Sequence, residues 1–393
     1  MLNNGNMKIT DIKVHGIAAQ LERAFWMSLE PYTMAAEIIV EVETDAGVTG
    51  IGQIHGRPME TIAAILNGGF KELLMGEDPL LHERIWQRLF SMTHSREWAR
   101  FSRASGQPHF GGGNRPQMLA ALAGIDLALW DIKGKAAGLP LWRMLGGQDS
   151  RVPCYASGGY YEEDAPVERQ MEAMVEEMTG YARLGYPAVK MKVGGMSIAE
   201  DYRRIEAVRR ALPDVDIMLD ANMGYDVNSA VRAARTFEPL GIRWFEEPVH
   251  WYDWVFGVKE VARSTTIPIA AGESQMHLWD SRDLILHGGI RIMQFDSTRA
   301  GGLTELLRIA AYAAAHGVLL APHHDPQIHG HVLAALSNGH IQEVFPNPVR
   351  DPLWEQLFID LPRIENGVME MNEKPGFGFE LNREAMKRFA YPL

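Results

Sequence analysis

The sequence predicts an α/β protein: a modified, TIM-like (β/α)8 barrel, with an α+β capping domain built from the N-terminal region and the C-terminal segment. Three observations carry this. From about residue 152, eight short runs rich in apolar and β-branched residues alternate with longer amphipathic ones, the rhythm of consecutive βα units. Before them, period-two stretches flank a "DAG" turn, which reads as antiparallel sheet. After them, "NGVMEMNEKPGFGFELNREAMKRFAYPL" abandons the βα rhythm and is expected to fold back onto the N-terminal region.

Taken in order, "MKITDIKVHGIAA" and "AAEIIVEVETDAGVTGIGQ" are the strands of the capping sheet. The stretches "QLERAFWMSLEPYTM" and "GQIHGRPMET" read as loops over the barrel mouth, offering Glu22, Arg23, His55 and Arg57 beside Trp26 and Met27; "SREWARFSRASGQPHFGGGNRPQ" reads as another lid. Surface loops carry such residues routinely, so they name no ligand by themselves. "QMLAALAGIDLALWDIKGKAAG" is Ala- and Leu-rich at helical spacing, a packed helix. The eight barrel strands are "VPCYASG", "AVKMKVG", "DIMLDAN", "IRWFEEP", "IPIAAGE", "RIMQFDS", "GVLLAPH" and "HIQEVF". Right-handed crossovers between parallel strands make closure the expected topology. A doubly wound open sheet would want a GxGxxG turn after its first strand, and "ASGGYYEE" lacks that spacing. The expected division is a cap over residues 1–135, a barrel over 136–355, and a segment returning to the cap over 356–393.

The chain has 393 residues and a formal charge of -12 with both signs mixed along its length, which argues against a nucleic-acid or anionic-membrane partner. The lone Cys154 lies in an apolar run and is expected to pack in the core of a cytoplasmic protein. No apolar run is long enough to span a bilayer, and the start lacks a basic segment followed by an apolar core. Assembly as a homo-oligomer is expected.

Groups that carry chemistry on such barrels stand at the C-terminal strand ends, where loops and side chains converge. The second strand offers Lys190 and Lys192, two apart and so on one face. Surface lysines are the usual reading of such a pair, but Val189, Met191 and Val193 would then face the helices, which turns the lysines inward. Three successive strands end in Asp220, Glu246 and Glu273, spaced by 26 and 27 residues, about one βα unit each. A single acid in this position is more often a helix cap. Three at the repeat period would repel one another unless a hard divalent cation, naturally Mg²⁺, accepts their oxygens. Strand alternation assigns Glu247 to the outer face or to a cation partner. The sixth strand ends at Asp296, the seventh at His323, and the eighth carries Glu343. An aspartate beside a histidine can hold Nδ1–H and leave Nε2 free for proton transfer. In "APHHDPQIHGH" the histidine spacings establish no zinc site: His324 and Asp325 would start the loop and either touch substrate or line the rim, while His329 and His331 would begin a helix, packed or in solvent.

These residues resemble the enolase superfamily, and within it the mandelate racemase subgroup, over nearly the whole chain: "GIDLALWDIKGKAAGLPLWRMLGG", "VKMK", the three acids, "EEP", Asp296 with His323, and Glu343. The resemblance implies abstraction of the proton next to a substrate carboxylate, giving an enediolate stabilised by Mg²⁺, a pairing of Lys or His base with metal known for enolase-superfamily sites. It implies Asp220, Glu246 and Glu273 as metal ligands and Lys192 as base on one face. His323, oriented by Asp296, would be acid or base on the other. Lys190 would neutralise the substrate carboxylate, Glu343 would share a hydrogen bond with it, and Asn222 would face the mouth or serve the turn. A base needs Lys192 lowered in pKa, and hydrogen-bond donation needs Glu343 raised. The implied reaction is dehydration of an acid sugar to a 2-keto-3-deoxy acid; racemisation or epimerisation of a 2-hydroxy acid is the alternative, and a catalytically silent binding relative a third reading.

Overall fold

The computed structural model describes residues 7–94, 114–163 and 165–393; most of the lid read over residues 95–117 lies outside them. The cap is an antiparallel sheet of β1 (Ile9–Trp26), β2 (Pro31–Thr44) and β3 (Thr49–Ile54), extended by Ala390–Tyr391 at the chain's end, which pairs with β1 through Gly16 and Ile17. Residues 20–34 are not the loop that the sequence reading gave. β1 runs to Trp26, Met27 N donates to Glu30 O (3.0 Å), and β2 begins at Pro31. Ala19, Leu21 and Phe25 keep an apolar face buried across an irregularity between Gln20 and Phe25, so the segment is held as a hairpin.

The helix Arg115–Ala137 packs across this sheet with nearly every residue of its middle buried. Gly52 allows the approach, since a Cβ there would meet the Gly124 carbonyl. The helix also clamps the cap to the barrel. Thr304 Oγ, on the helix Gly302–Ala315, accepts from Trp130 Nε1 (2.9 Å) and donates to Asp126 Oδ1 (2.6 Å), while Thr304 N donates to Asp126 Oδ2 (2.9 Å). Burial pushes the Asp126 carboxyl up to about 7. Thr304→Val keeps the shape and strips the hydroxyl, leaving two buried partners short. It is expected to cost about 1–3 kcal/mol, read as a fall in urea midpoint at unchanged m-value.

All eight predicted barrel strands are present: β4 (Arg151–Gly158), β5 (Ala188–Lys192), β6 (Asp216–Asp220), β7 (Ile242–Glu246), β8 (Ile269–Ala271), β9 (Ile292–Met293), β10 (Leu319–Leu320) and β11 (Gln342–Val344). They are parallel, β4 through β10 pair in sequence order, and β11 returns to pair with β4. The seam between β10 and β11 is spanned by a bridge at Leu320 and Gly339. The C-terminal segment does two jobs. Its hairpin, Arg363–Glu365 with Val368–Glu370, pairs antiparallel on β4 before the chain reaches β1. Among the described residues, no helix is long and apolar enough to cross a membrane. Cys154 is buried, and burial pushes its thiol up to about 12, as expected of a packing residue.

Candidate active site

Inside the barrel, one residue from each strand region meets in a closed apolar ring: Tyr155, Ala188, Met218, Trp244, Ala270, Ile292, Ala321 and Ile341. Strand side chains repeat with period two, so the next inward position on each strand lies nearer the C-terminal mouth. Those positions are Ser157, Lys190, Asp220, Glu246, Gly272, Gln294, His323 and Glu343. A polar layer thus stands directly on an apolar floor. Strand register then brings Lys192 opposite Asp220, and Asp220 opposite Glu246.

The polar layer is tightly paired. Lys192 Nζ donates to Asp220 Oδ2 (2.5 Å). Lys190 Nζ lies 2.5 Å from Glu246 Oε1, 2.7 Å from Glu343 Oε1 and 3.7 Å from Asp220 Oδ2. The other Glu246 oxygen accepts from Trp244 Nε1 (3.0 Å) and Gln294 Nε2 (2.7 Å). Gln294 was missed from the sequence, although counting back two from Asp296 would have found it. Glu273, beyond β8, lines the mouth 3.4 Å from Arg299 Nη1 and 3.7 Å from His323 Nε2. Asn222 faces the mouth and sits in the left-handed region (φ 39°), so it serves turn and mouth together.

The pairing sets the charges of these side chains. Burial alone would lower the Lys192 pKa, but the Asp220 carboxylate outweighs it and holds the ammonium above its ordinary value. Burial alone would raise Glu343, but Lys190 and His323 outweigh it, so Glu343 stays an acceptor. Glu246 is pushed up to about 8 by burial and by Asp220 and Glu343, against Lys190. Glu247 does not face outward: a left-handed backbone (φ 37°) breaks the alternation at the strand's end. Its buried carboxyl is raised well above its ordinary value by burial and then by Glu273, Asp220 and Glu246, and Glu247 Oε2 has no hydrogen-bond partner among the described residues.

Such a cluster fits a hard divalent cation. Asp220, Glu246 and Glu273 offer only oxygen donors, although their oxygens are not among the ligand groups that converge within 4.8 Å among the described residues; beside them Glu247 Oε2 has no partner among the described residues, and burial and then Glu273, Asp220 and Glu246 raise its carboxyl. Mg²⁺ takes carboxylates of this kind while keeping several waters.

The dyad forms as spaced. His323 Nδ1 is 2.8 Å from Asp296 Oδ2, and the other Asp296 oxygen accepts from Thr298 N (2.8 Å) and Thr298 Oγ (2.7 Å). An ionised aspartate can only accept, so Nδ1 carries the proton and Nε2 is left toward the mouth. Burial would lower the His323 pKa, but Glu273 and Asp296 outweigh it and raise it. His324 and Asp325 do not line the mouth: both are buried, and left-handed conformations (φ 55° and 43°) turn them from the strand line. His329 and His331 are packed, not solvated: His329 Nδ1 reaches His324 O (2.9 Å) and Nε2 reaches Ser297, while His331 accepts from Trp142 N (3.1 Å) and reaches Phe377 O (3.1 Å).

Among the described residues two groups of potential ligand atoms converge within 4.8 Å, His55 with Asp296 and His323, and His55 with His324 and Asp325. In the first, Asp296 and His323 already hold each other. His55 comes from the cap, its ring 6.0 Å from that of His323, and its Nδ1 is buried without a partner among the described residues. Cap and barrel together enclose a cavity of about 770 Å³, lined by Lys190, Lys192, Glu273, His323 and Glu343 on the barrel side and by His55 and Arg57 on the cap side. Of the other proposed lid residues, Met27 also lines it, whereas Arg23 pairs with Glu162 (2.5 Å).

The chain matches two family models, "Mandelate racemase / muconate lactonizing enzyme, N-terminal domain" over residues 10–146 and "Enolase C-terminal domain-like" over residues 171–385. It is 32% identical to a D-galactarolactone cycloisomerase of Agrobacterium fabrum, with 98% of this chain and 100% of that one covered. It is 33% identical to an L-talarate/galactarate dehydratase of Salmonella typhimurium, covering 91% and 83%. The structure of a mandelate racemase/muconate lactonizing enzyme from a marine actinobacterium, solved in complex with magnesium, superposes with a TM-score of 0.83 at 33% identity, covering 98% of this chain and 100% of that one.

Proposed function

We propose, from the premise that this chain belongs to the mandelate racemase/muconate lactonizing enzyme family of the enolase superfamily, that it is a Mg²⁺-dependent acid-sugar dehydratase, a hydro-lyase that removes the proton next to a carboxylate and then expels the neighbouring hydroxyl as water. The observation that carries this is the placing of Lys192 and the Asp296-held His323 on one cavity with a carboxylate cluster. A dehydratase name on the Salmonella relative supports it.

Asp220, Glu246 and Glu273 would hold the Mg²⁺. Bound there, the ion supplies Lewis-acid stabilisation of negative charge developing on the substrate carboxylate. Lys192 takes a proton at Nζ only as the neutral amine. Its ammonium is now held by Asp220, so engaging that carboxylate elsewhere removes what keeps its pKa high. Lys190 binds a substrate carboxylate oxygen, and Glu343, paired with Lys190, fixes that ammonium's direction. Asn222 hydrogen-bonds at the mouth. His323, favoured as imidazolium by Glu273 and Asp296, donates from Nε2 to the departing hydroxyl. Were the intermediate instead reprotonated on the opposite face, the product would be the epimer. The test is a screen of acid sugars and hydroxy acids for 2-keto product, with deuterium uptake from solvent followed in parallel. Uptake without loss of water means racemisation.

Asp296 supports this chemistry through His323, so Asp296→Asn has a directed effect. Removing the carboxylate lowers the His323 pKa. The limb of the pH profile that needs imidazolium therefore moves to lower pH, and kcat falls more than KM changes. An unmoved limb would remove the acid role from His323.

A further inference from the structure

We infer that the substrate is an aldarate, an acid sugar with a carboxylate at each end, whose second carboxylate is held by Arg350 and Arg57; this rests on the dehydratase reading above. Arg350 follows β11 and is buried, yet it lines the cavity. Its guanidinium is stacked among three rings, 3.8 Å from the centroid of Phe345, 4.6 Å from Tyr32 and 5.6 Å from Tyr160. That aromatic collar fixes a planar cation and strips it of water, the setting in which a bidentate carboxylate contact is strongest.

Its described partners leave the fork underused. Nε donates to Tyr160 Oη (3.1 Å), and the nearest carboxylate, Asp351, is 3.7 Å away. Asp351 is shared with His324, whose Nε2 lies 3.4 Å from it and 3.4 Å from Arg350 Nη1. His324 also sits 3.3 Å from Asp325, and these two acids outweigh its burial and favour imidazolium. An imidazolium accepts nothing from Arg350, so Asp351 is shared by the two cations, while Asp325 stands beside His324 alone. Arg57 adds a third: its guanidinium donates to the carbonyls of Gly56 (3.1 Å) and Ala36 (3.0 Å), and no carboxylate pairs with it among the described residues. Of the acids lining the cavity, Glu273 and Glu343 stand at the barrel end, and Glu30 is on the exposed rim.

Tyr160 is near both Lys192 and Arg350. Lys192 Nζ is 5.2 Å from its ring centroid and the Arg350 guanidinium 5.6 Å from the same point. Lys190, Lys192 and Arg350 line the same cavity, so a chain with a carboxylate at each end can lie with one end at the lysines and the other at Arg350. An aldonate would place an uncharged hydroxymethyl group against the arginines, leaving a buried cation uncompensated.

The test uses matched pairs that differ only at the terminal carbon, D-glucarate with D-gluconate and galactarate with D-galactonate. Both 2-keto product and deuterium uptake are measured on the purified, Mg²⁺-loaded enzyme. The expected result is a kcat/KM for an aldarate at least about tenfold above its aldonate partner, with that ratio falling at least about tenfold in Arg350→Met, chiefly through KM. Because Arg350 is packed among aromatics, Arg57→Gln at an exposed position is the second variant, and the ratio is expected to fall there too. Reaction of aldonates with none of aldarates overturns the inference and leaves the dehydratase reading standing. Failure of every acid sugar in both assays overturns both. An aldarate preference unchanged in both variants overturns the assignment to the two arginines.

Discussion

His323→Asn and Lys192→Ala are each expected to lower formation of 2-keto product by about 10²–10⁴ or more, the share that a positioned acid or base supplies, with the fold intact. The fold should survive because neither side chain carries the core. Asp296 keeps Thr298 N and Thr298 Oγ as donors when His323 is gone, and Asp220 keeps Asn222 N (2.9 Å) and lies near Lys190 when Lys192 is gone. The two losses differ in kind. Replacing Lys192, the base, abolishes deuterium uptake as well as loss of water; replacing His323, the acid, abolishes loss of water and leaves uptake. Circular dichroism and the urea midpoint check folding, and normal turnover in either variant would exclude the assigned chemistry.

Thorough chelation is expected to abolish activity, and Mg²⁺ to restore it. With no cation, Asp220, Glu246, Glu247 and Glu273 share a buried region whose partners are Lys190, Lys192 and Arg299, and Glu246 rises to about 8. A ligand must lose its proton to bind metal, so Mg²⁺ competes with protons at Glu246. The sign follows: apparent Mg²⁺ affinity should strengthen as pH rises toward about 8 and level off above it. Thermal melts with and without Mg²⁺ at several pH values measure this without turnover, because an ion that binds only the folded state raises its stability. Activity that survives chelation, or that Mg²⁺ does not restore, would show the carboxylates to be structural.

Much of this was legible because strands impose period two and βα units impose a repeat length. Lys190 and Lys192 faced inward, and Asp220, Glu246 and Glu273 fell one unit apart, from counting alone. Counting failed where the backbone leaves the strand. Glu247 turned inward through a left-handed residue, a torsion that no neighbouring glycine announces. The segment from Gln20 to Met34 looked like a loop because its bulge hides the alternation. The charges of Lys192 and Glu343 depended on which acid each lysine chose, a matter of angstroms rather than spacing. Arg350 sits after the last strand with no periodic cue, and only the closed barrel brings it beside Tyr160.

The apolar ring beneath the polar layer has a consequence for how such a protein can change. Core and chemistry are the same strands counted two residues apart, so inserting or deleting one residue inside β5, β6 or β7 would send lysine or acid outward against the helices and the flanking apolar side chains into the mouth. Loops can lengthen, shorten or exchange residues without that penalty. New substrates are therefore reached by editing cap and rim, while the reacting groups are inherited as a block with the floor they stand on.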